Sequence, residues 1–415
     1  MQTFLNPFRP GAGQKPPYLA GRLDEQNDFR IMLDQRPVIQ NVIITGLRGV
    51  GKTVLLETIK PLAINKGWLW AGTDLSESAT ITELSLSTRI MADISTISSA
   101  FAAAEISKNK VGFGSTTEKI NIKGTYQYLM HKYADTPGLD NDKLKAVLET
   151  VWDMVKTKAN GIILAYDEAQ ILKDQAVDKQ YPLSLLLEVI QYLQRKQIPY
   201  LLILTGLPTL FPNLVNARTY AERMFHIITI DKLTDEETAD AIMKPIEDDN
   251  CPVKFAKRAV AMISDHSGGY PYFVQFLCKE AYDSYIQQLQ LGVKNPNVLL
   301  ESIVRKLDTD FYSGRWLSLT DRQKELLRII AGLENSDKEF SVNDIAERSK
   351  KNYSKPFSGS HINQMLTKMV DAGLIYKNRY GKYSFAVPML ADFIIRQTAD
   401  ENIYKADDEE FYKDY

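Results

Sequence analysis

The sequence predicts an α/β fold on a parallel sheet, followed by an α-helical domain and a C-terminal winged-helix domain. Three observations lead there. Between residues 42 and 230, short apolar runs alternate with helical segments, the pattern of strands joined by crossover helices. The runs Ile162-Ile163-Leu164-Ala165 and Leu201-Leu202-Ile203-Leu204 are continuously apolar, as strands covered on both faces should be. Near the C-terminus, three helical segments precede a hairpin, the layout of a winged helix-turn-helix.

Taken in order, residues 1–20 read as extended, because Pro10, Pro16 and Pro17 oppose regular helix. Leu23–Leu33 reads as a first helix. Val42–Thr45 is a strand, Lys52–Lys66 a helix, Trp68–Gly72 a strand and Ile81–Ser107 a long helical region of small and apolar residues. Polar, glycine-containing Lys108–Gly124 reads as a loop or hairpin insertion, either functional or simply tolerated. Gly161–Tyr166 is a strand, Pro182–Lys196 an amphipathic helix, and Tyr200–Thr205 and Phe225–Ile230 are strands. Thr234 then supplies a capping hydroxyl with early acids behind it. Helices follow at Glu236–Lys244, Lys254–Ser264 and Tyr272–Gln290, with another near Val298–Tyr312. Thr320-Asp321 caps a helix running to Gly332. Val342–Ser349 and Ser360–Ala372 are the next two helices, and Gly373 ends the last. Leu374–Lys377 and Tyr383–Val387 form the hairpin, and acidic Asp400–Tyr415 reads as a frayed tail. The expected domains are an extended segment 1–20, a core 21–232, a helical lid 233–315, a winged helix 316–398 and a tail 399–415.

Gly46-Leu47-Arg48-Gly49-Val50-Gly51-Lys52-Thr53 fits the phosphate-binding pattern G-x-x-x-x-G-K-[ST], and it sits between a strand and a helix as that pattern requires. Glycines let the loop turn tightly and aim N–H groups inward. With the following helix N-terminus they form an anion cradle. Lys52 is placed to reach β- and γ-phosphates, and Thr53 offers a hydroxyl to Mg²⁺, which needs few protein ligands. The bland alternative is a glycine-rich turn with a surface Lys and Thr.

Ile162–Glu168 ends a buried strand in Asp167-Glu168. A carboxylate there can hold Mg²⁺ through water, which suits Asp167, while Glu168 can orient and activate the attacking water. Thr205 emerges from the next apolar run, where strand ends build the ligand crevice; it is a phosphate contact or a strand-ending threonine. Arg223, before the Phe225 strand, is an arginine finger for a neighbouring subunit or a surface ion-pair partner, with Arg218 a second candidate. Gly268-Gly269-Tyr270-Pro271 allows close backbone approach to a nucleotide, through Gly269 and Pro271, or is a tight interhelical turn.

Residues 320–398 carry thirteen Lys and Arg against nine Asp and Glu. Lys350, Lys351 and Lys355 precede the third helix, and Lys377, Arg379, Tyr380 and Lys382 surround the wing. This basic set can neutralise DNA phosphates, with Ser360, His361, Asn363 and Gln364 facing a groove. It is otherwise a solvated face on a protein-docking module.

The whole-chain numbers bound the rest. The 415 residues allow two or three domains, and 44% hydrophobic residues supply real cores. A net charge of −2 gives no global field toward nucleic acid or membrane. Cys251 and Cys278 lack metal-ligand spacing and suit a reducing compartment. No apolar stretch approaches the ~18–20 residues of a membrane span, and Met1–Gly21 does not read as a signal peptide. A cytoplasmic protein without a membrane partner is expected.

Together, GLRGVGKT, ILAYDE, LTGLP, the Arg before the fifth strand, SGGYP and the winged helix resemble the AAA+ ATPases. The nearest likeness is to the origin-recognition initiator-like branch and the related archaeal-type and STAND P-loop ATPases. Leu19-Ala20-Gly21-Arg22 resembles the segment that branch places near adenine, bringing in Arg22. The resemblance covers about 18–395 and implies a three-layer P-loop NTPase core with a helical lid. It also implies ATP and Mg²⁺ as cofactors, Lys52 on phosphate, Thr53 and Asp167 at the metal, Glu168 as base and Thr205 as first sensor. The absence of a guanine-reading N-K-x-D segment leans toward ATP by the same analogy. The initiator group usually offers a lid Arg as second sensor, whereas this chain has Gly268–Pro271, closer to the signalling-type ATPases. The implied activity is a slow ATPase acting as a switch, with DNA, a protein partner or further copies of the chain as its target.

Overall fold

The computed structural model describes residues 5–399 except Ala12, Arg36, Ile39, 110–123, 248–250, Asp337, 353–354 and Tyr380. Most of the expected insertion at Lys108–Gly124 and the whole acidic tail therefore lie outside the described residues. The chain divides into two compact units. One comprises Arg22–Gly46 and Lys52–Ile230; the other comprises the N-terminal segment through Gly21, Leu47–Gly51 and the chain from Asp231 onward.

The first unit runs α1 (Leu23–Asp34), β1 (Asn41–Thr45), α2 (Lys52–Asn65), β2 (Trp68–Ala71), α3 (Glu77–Thr80), α4 (Glu83–Asn109), α5 (Tyr126–Asp135) and α6 (Asp140–Val155). It continues with β3 (Gly161–Tyr166), α7 (Pro182–Arg195), β4 (Tyr200–Gly206), α8 (Leu210–Ala217), α9 (Ala221–Met224) and β5 (Phe225–Thr229). The five strands are parallel in the order β2-β3-β4-β1-β5. Every residue of β1, β3 and β4 is buried, so these inner strands are covered on both faces, while edge strands β2 and β5 are partly exposed. Helices α5 and α6 fill a stretch to which the sequence reading assigned no element. Burial of Leu144, Val147, Leu148, Val151 and Val155 marks one apolar face of α6.

Buried Asn41 pins the start of β1. Its Oδ1 accepts from Leu202 N (2.9 Å) and Gln194 Nε2 (2.8 Å), and its Nδ2 donates to Met224 O (3.3 Å). One polar side chain thus ties β1 to β4, α7 and the approach to β5. A buried amide with its groups paired fixes register without leaving an unsatisfied dipole.

In the second unit the N-terminal segment is held at Asn6–Arg9. Asn6 donates to Lys279 O (3.0 Å), Arg9 N donates to Gln275 Oε1 (3.0 Å), and Phe8 is buried. Four helices follow, α10 (Asp235–Met243), α11 (Lys257–Ser267), α12 (Pro271–Gln290) and α13 (Leu300–Leu307), in the stretch expected to form the lid. A π-helical turn, Asp308–Tyr312, leads into α14 (Ser313–Leu317). The winged helix comprises α15 (Asp321–Ala331), β6 (Phe340–Ser341), α16 (Val342–Asn352), α17 (Gly359–Asp371), β7 (Ile375–Arg379) and β8 (Lys382–Phe385), then α18 at 390–399. Its antiparallel sheet has the order β6-β8-β7, one short strand more than the expected hairpin. Thr234 and Thr320 both form reciprocal capping boxes, with Glu237 and Gln323.

One apolar core runs through this unit from Phe8 to Ile394. Tyr312 stacks on Phe393 (4.9 Å, 17°) and donates to Pro388 O (2.9 Å), while Arg396 grips Asp308 through two nitrogens (2.9 and 2.6 Å). The π-helical turn and α18 therefore share packing. Both cysteines are free, and burial pushes the Cys278 thiol pKa up, which leaves it unreactive. Among the described residues no helix is long and apolar enough to cross a membrane.

Candidate nucleotide site

Sheet register assembles the site. Ile43 pairs with Leu204, and Leu204 with Tyr166. Asp167, one residue past β3, therefore stands level with Thr205 at the carboxyl edge, next to the loop that leaves β1. Ligand crevices of open parallel sheets form at this edge, near the point where strand order reverses. Here the chain leaves β1 toward β2 on one side and crosses from β4 to β5 on the other.

The side chains meet there. Thr53 Oγ1 donates to Asp167 Oδ2 at 2.5 Å. Glu168 N donates to Asp167 Oδ1 at 2.8 Å. Lys52, 9% exposed, donates from Nζ to Gly46 O at 3.0 Å. Gly49 and Gly51 have φ of +78° and +94°, and nothing lies within 4 Å of a Cβ built on Gly51. This is an open cradle that a larger residue would strain and narrow. The donor types suit a phosphate–Mg²⁺ group: an ammonium on Lys52, and a Thr53 hydroxyl hydrogen-bonded to the Asp167 carboxylate. Two buried hydroxyls at the same edge, Thr45 Oγ1 and Thr205 Oγ1, have no hydrogen-bond partner among the described residues.

Asp167 is 3% exposed. Burial raises its pKa; the Thr53 hydroxyl and the Glu168 amide pull the other way, and the Glu168 and Asp74 carboxylates push it up again. A cation at this point would offset the cost of keeping that charge buried. Glu168 is exposed and has φ 52°, ψ 30°, a left-handed conformation uncommon for a side-chain-bearing residue. Local strain of this kind concentrates at functional positions. Its carboxylate accepts from Gln170 Nε2, and Gln170 Oε1 accepts from Leu207 N at 3.1 Å. The sequence reading passed over Gln170; its only signal was an amide two residues beyond Asp167-Glu168.

Other candidates lie elsewhere. Arg22 is buried and faces Glu25 at 3.8 Å. Arg223 is exposed in α9, two residues before Phe225, which is level with Asn41 at the start of β1. It therefore sits at the amino edge of the sheet, away from this chain's own phosphate loop. Arg218 is also exposed.

Between α11 and α12, Gly269 has a local reason to be glycine. A Cβ there would fall 2.5 Å from Leu233 O, and Leu233 N donates to Gly269 O at 2.8 Å. Gly268 is the left-handed cap of α11, and Pro271 opens α12. Leu47, Arg48, Gly49, Val50 and Gly51 cluster with the second unit, where Gly49 O accepts from Tyr272 N at 3.2 Å.

On the winged helix, Lys355, His361, Asn363, Gln364 and Lys377 are exposed. His361 lies 5.6 Å from the Phe357 ring, and Asn363 donates back to Gly359 O at 3.1 Å. Lys382 is half-buried, 3.9 Å from Asp344. Tyr380 and the Arg379 side chain lie outside the described residues.

Solved structures resemble the whole chain. A Walker-type ATPase of Pyrococcus abyssi matches with a TM-score of 0.58 at 16% identity, across 91% of this chain and 96% of its own. The ADP form of the Aeropyrum pernix ORC2 protein matches with a TM-score of 0.54 at 16% identity, across 94% of this chain and 97% of its own. The chain shares its overall fold with these two structures. At this identity the likeness speaks for the fold alone and not for any residue's role. A family model described as a domain of unknown function, DUF8462, matches residues 309–394, the stretch from the π-helical turn into α18. No curated protein matches the chain in sequence.

Proposed function

We propose that the chain is an ATP-binding switch that hydrolyses ATP slowly and acts through its winged helix. The observation that carries this is the Thr53–Asp167 hydrogen bond, which joins the phosphate loop to the acidic strand end. In this reading Lys52 and the loop amides bind the phosphates, and Thr53 and Asp167 hold Mg²⁺. The metal supplies charge neutralisation at the phosphoryl group. Glu168 orients water and takes its proton, and Thr205 spends its unpartnered hydroxyl on phosphate or water. Arg223, at the far edge of the sheet, serves a second copy of the chain.

Phosphate release and binding of labelled ATP, measured together, test this. Glu168→Gln is expected to keep ATP binding and lose about 10²–10³-fold in turnover, the scale of a general base. Equal turnover in the parent and the variant would sink the assignment. DNA is the proposed target, since α17 presents an exposed polar face beside a basic wing.

A second reading has its own observation. Within the second unit, Arg48 Nη2 lies 3.4 Å from where a Cβ on Gly373 would sit, at the end of α17. Contact between the loop tip and the winged helix fits a STAND-like signalling ATPase, in which the winged helix restrains the protein or docks a partner. Tightly retained ADP together with no DNA binding selects that reading.

A further inference from the structure

We infer that Gln170 is a positioning residue that sets the Glu168 carboxylate and couples it to the end of β4. The inference rests on the ATPase reading of the site and names a control element within it.

Gln170 spans two parts of the site with its two ends. Its amide nitrogen donates to Glu168 Oε2, and its carbonyl accepts from Leu207 N at 3.1 Å. Leu207 is two residues past Thr205, whose buried hydroxyl has no partner among the described residues. Between them, Gly206 has no room for a side chain unless the Gln170 carbonyl moves. A Cβ there would stand 2.6 Å from Gln170 Oε1 and 3.2 Å from both Gln170 N and Leu210 Cδ2. Glycine at 206 is thus what admits the Gln170 carbonyl to the strand end. Glu168, meanwhile, is exposed and held in a left-handed turn by its own amide on Asp167. Without Gln170, an exposed glutamate with three free side-chain torsions would sample many rotamers. An amide is the side chain for this task, because it donates at one end and accepts at the other. A shift of the β4 end is therefore transmitted to the carboxylate through one residue.

Turnover and ATP affinity of the full chain test this in three variants. Gln170→Ala is expected to lower kcat about 10–100-fold with ATP affinity within about two-fold, as loss of orientation does. Gln170→Glu still accepts from Leu207 N but cannot donate to Glu168, and the same loss is expected. Gly206→Ala, which displaces the Gln170 carbonyl, is expected to lower kcat in the parent and to add much less on Gln170→Ala. That non-additivity separates coupling from a general loss of structure. Parent-like kcat in Gln170→Glu, or fully additive losses, overturns the inference. If Glu168→Gln abolishes turnover while Gln170→Ala leaves it intact, the inference fails and the ATPase reading stands. A parent chain that neither binds nor hydrolyses ATP overturns both.

Discussion

The carboxyl edge of the sheet and the exposed face of the winged helix hold their candidate residues in different ways. At the sheet edge Lys52 and Asp167 are buried, and Lys52, Thr53, Asp167 and Glu168 each bond another part of the site. On the winged helix the basic and polar candidates are mostly exposed; Asn363 bonds its own helix, and Lys382 faces an acid. The first arrangement pre-organises a small rigid ligand. The second is an electrostatic surface whose partner must supply the order. Chemistry is therefore readable from the first region, while the second yields only a class of partner.

Three perturbations sharpen or break this contrast, beyond those that test Glu168 and Gln170. The largest effect is expected for Lys52→Ala, because in the proposed function its ammonium carries the direct charge contact to the phosphates. Its ATP affinity should fall on the order of 100-fold in equilibrium binding. A loss below three-fold would show that Lys52 is a surface lysine. Next comes Lys377→Ala with Lys382→Ala, which should weaken DNA binding about 10-fold at low salt and lower the salt slope by about 2. Unchanged affinity and slope would move the winged helix to the protein-docking side.

The smallest effect, and the most telling for the buried site, concerns Asp167→Asn. The raised pKa of Asp167 means that the folded chain holds this proton more tightly than the unfolded chain. Its contribution to stability is thus full at low pH and is lost as pH rises through the raised value. An uncharged amide escapes that loss while still able to pair with Thr53 and the Glu168 amide. Thermal unfolding without nucleotide at pH 7 should show Asp167→Asn more stable by about 1 kcal/mol, as when a functional strain is removed. The same change should abolish the Mg²⁺ dependence of ATP binding. A destabilised variant would mean that burial is not what governs this carboxylate.

Much of the fold was legible because it depended on local patterns. The runs within β1, β3 and β4 are apolar on both faces of the pleat, and Thr234 and Thr320 announced their helices as caps directly before the first helical residue. Helices α5 and α6 were missed although Leu144, Val147, Leu148 and Val151 repeat at helical spacing. Polar and acidic residues around them hid the period. β6 is two residues long and exists only because β8 offers it an edge, so no local signal could reveal it. Gly269 shows the opposite limit. Its sequence context suggests a ligand, whereas the structure supplies a nearer reason in the Leu233 carbonyl.

The sequence by itself determined the glycine-rich loop, the acidic strand end and the chain order of the five parallel strands, because each is written in residues close together along the chain. Only the tertiary structure decided which strand lies beside which. The order β2-β3-β4-β1-β5 brings residues more than a hundred positions apart, Thr53 and Asp167, within a hydrogen bond and sends Arg223 to the far edge. It also decided that Gln170, an unremarked amide, stands between Glu168 and the end of β4. The physical reason is that strand pairing and side-chain bridging are long-range choices, set by which buried surfaces and polar groups satisfy one another once the chain has closed.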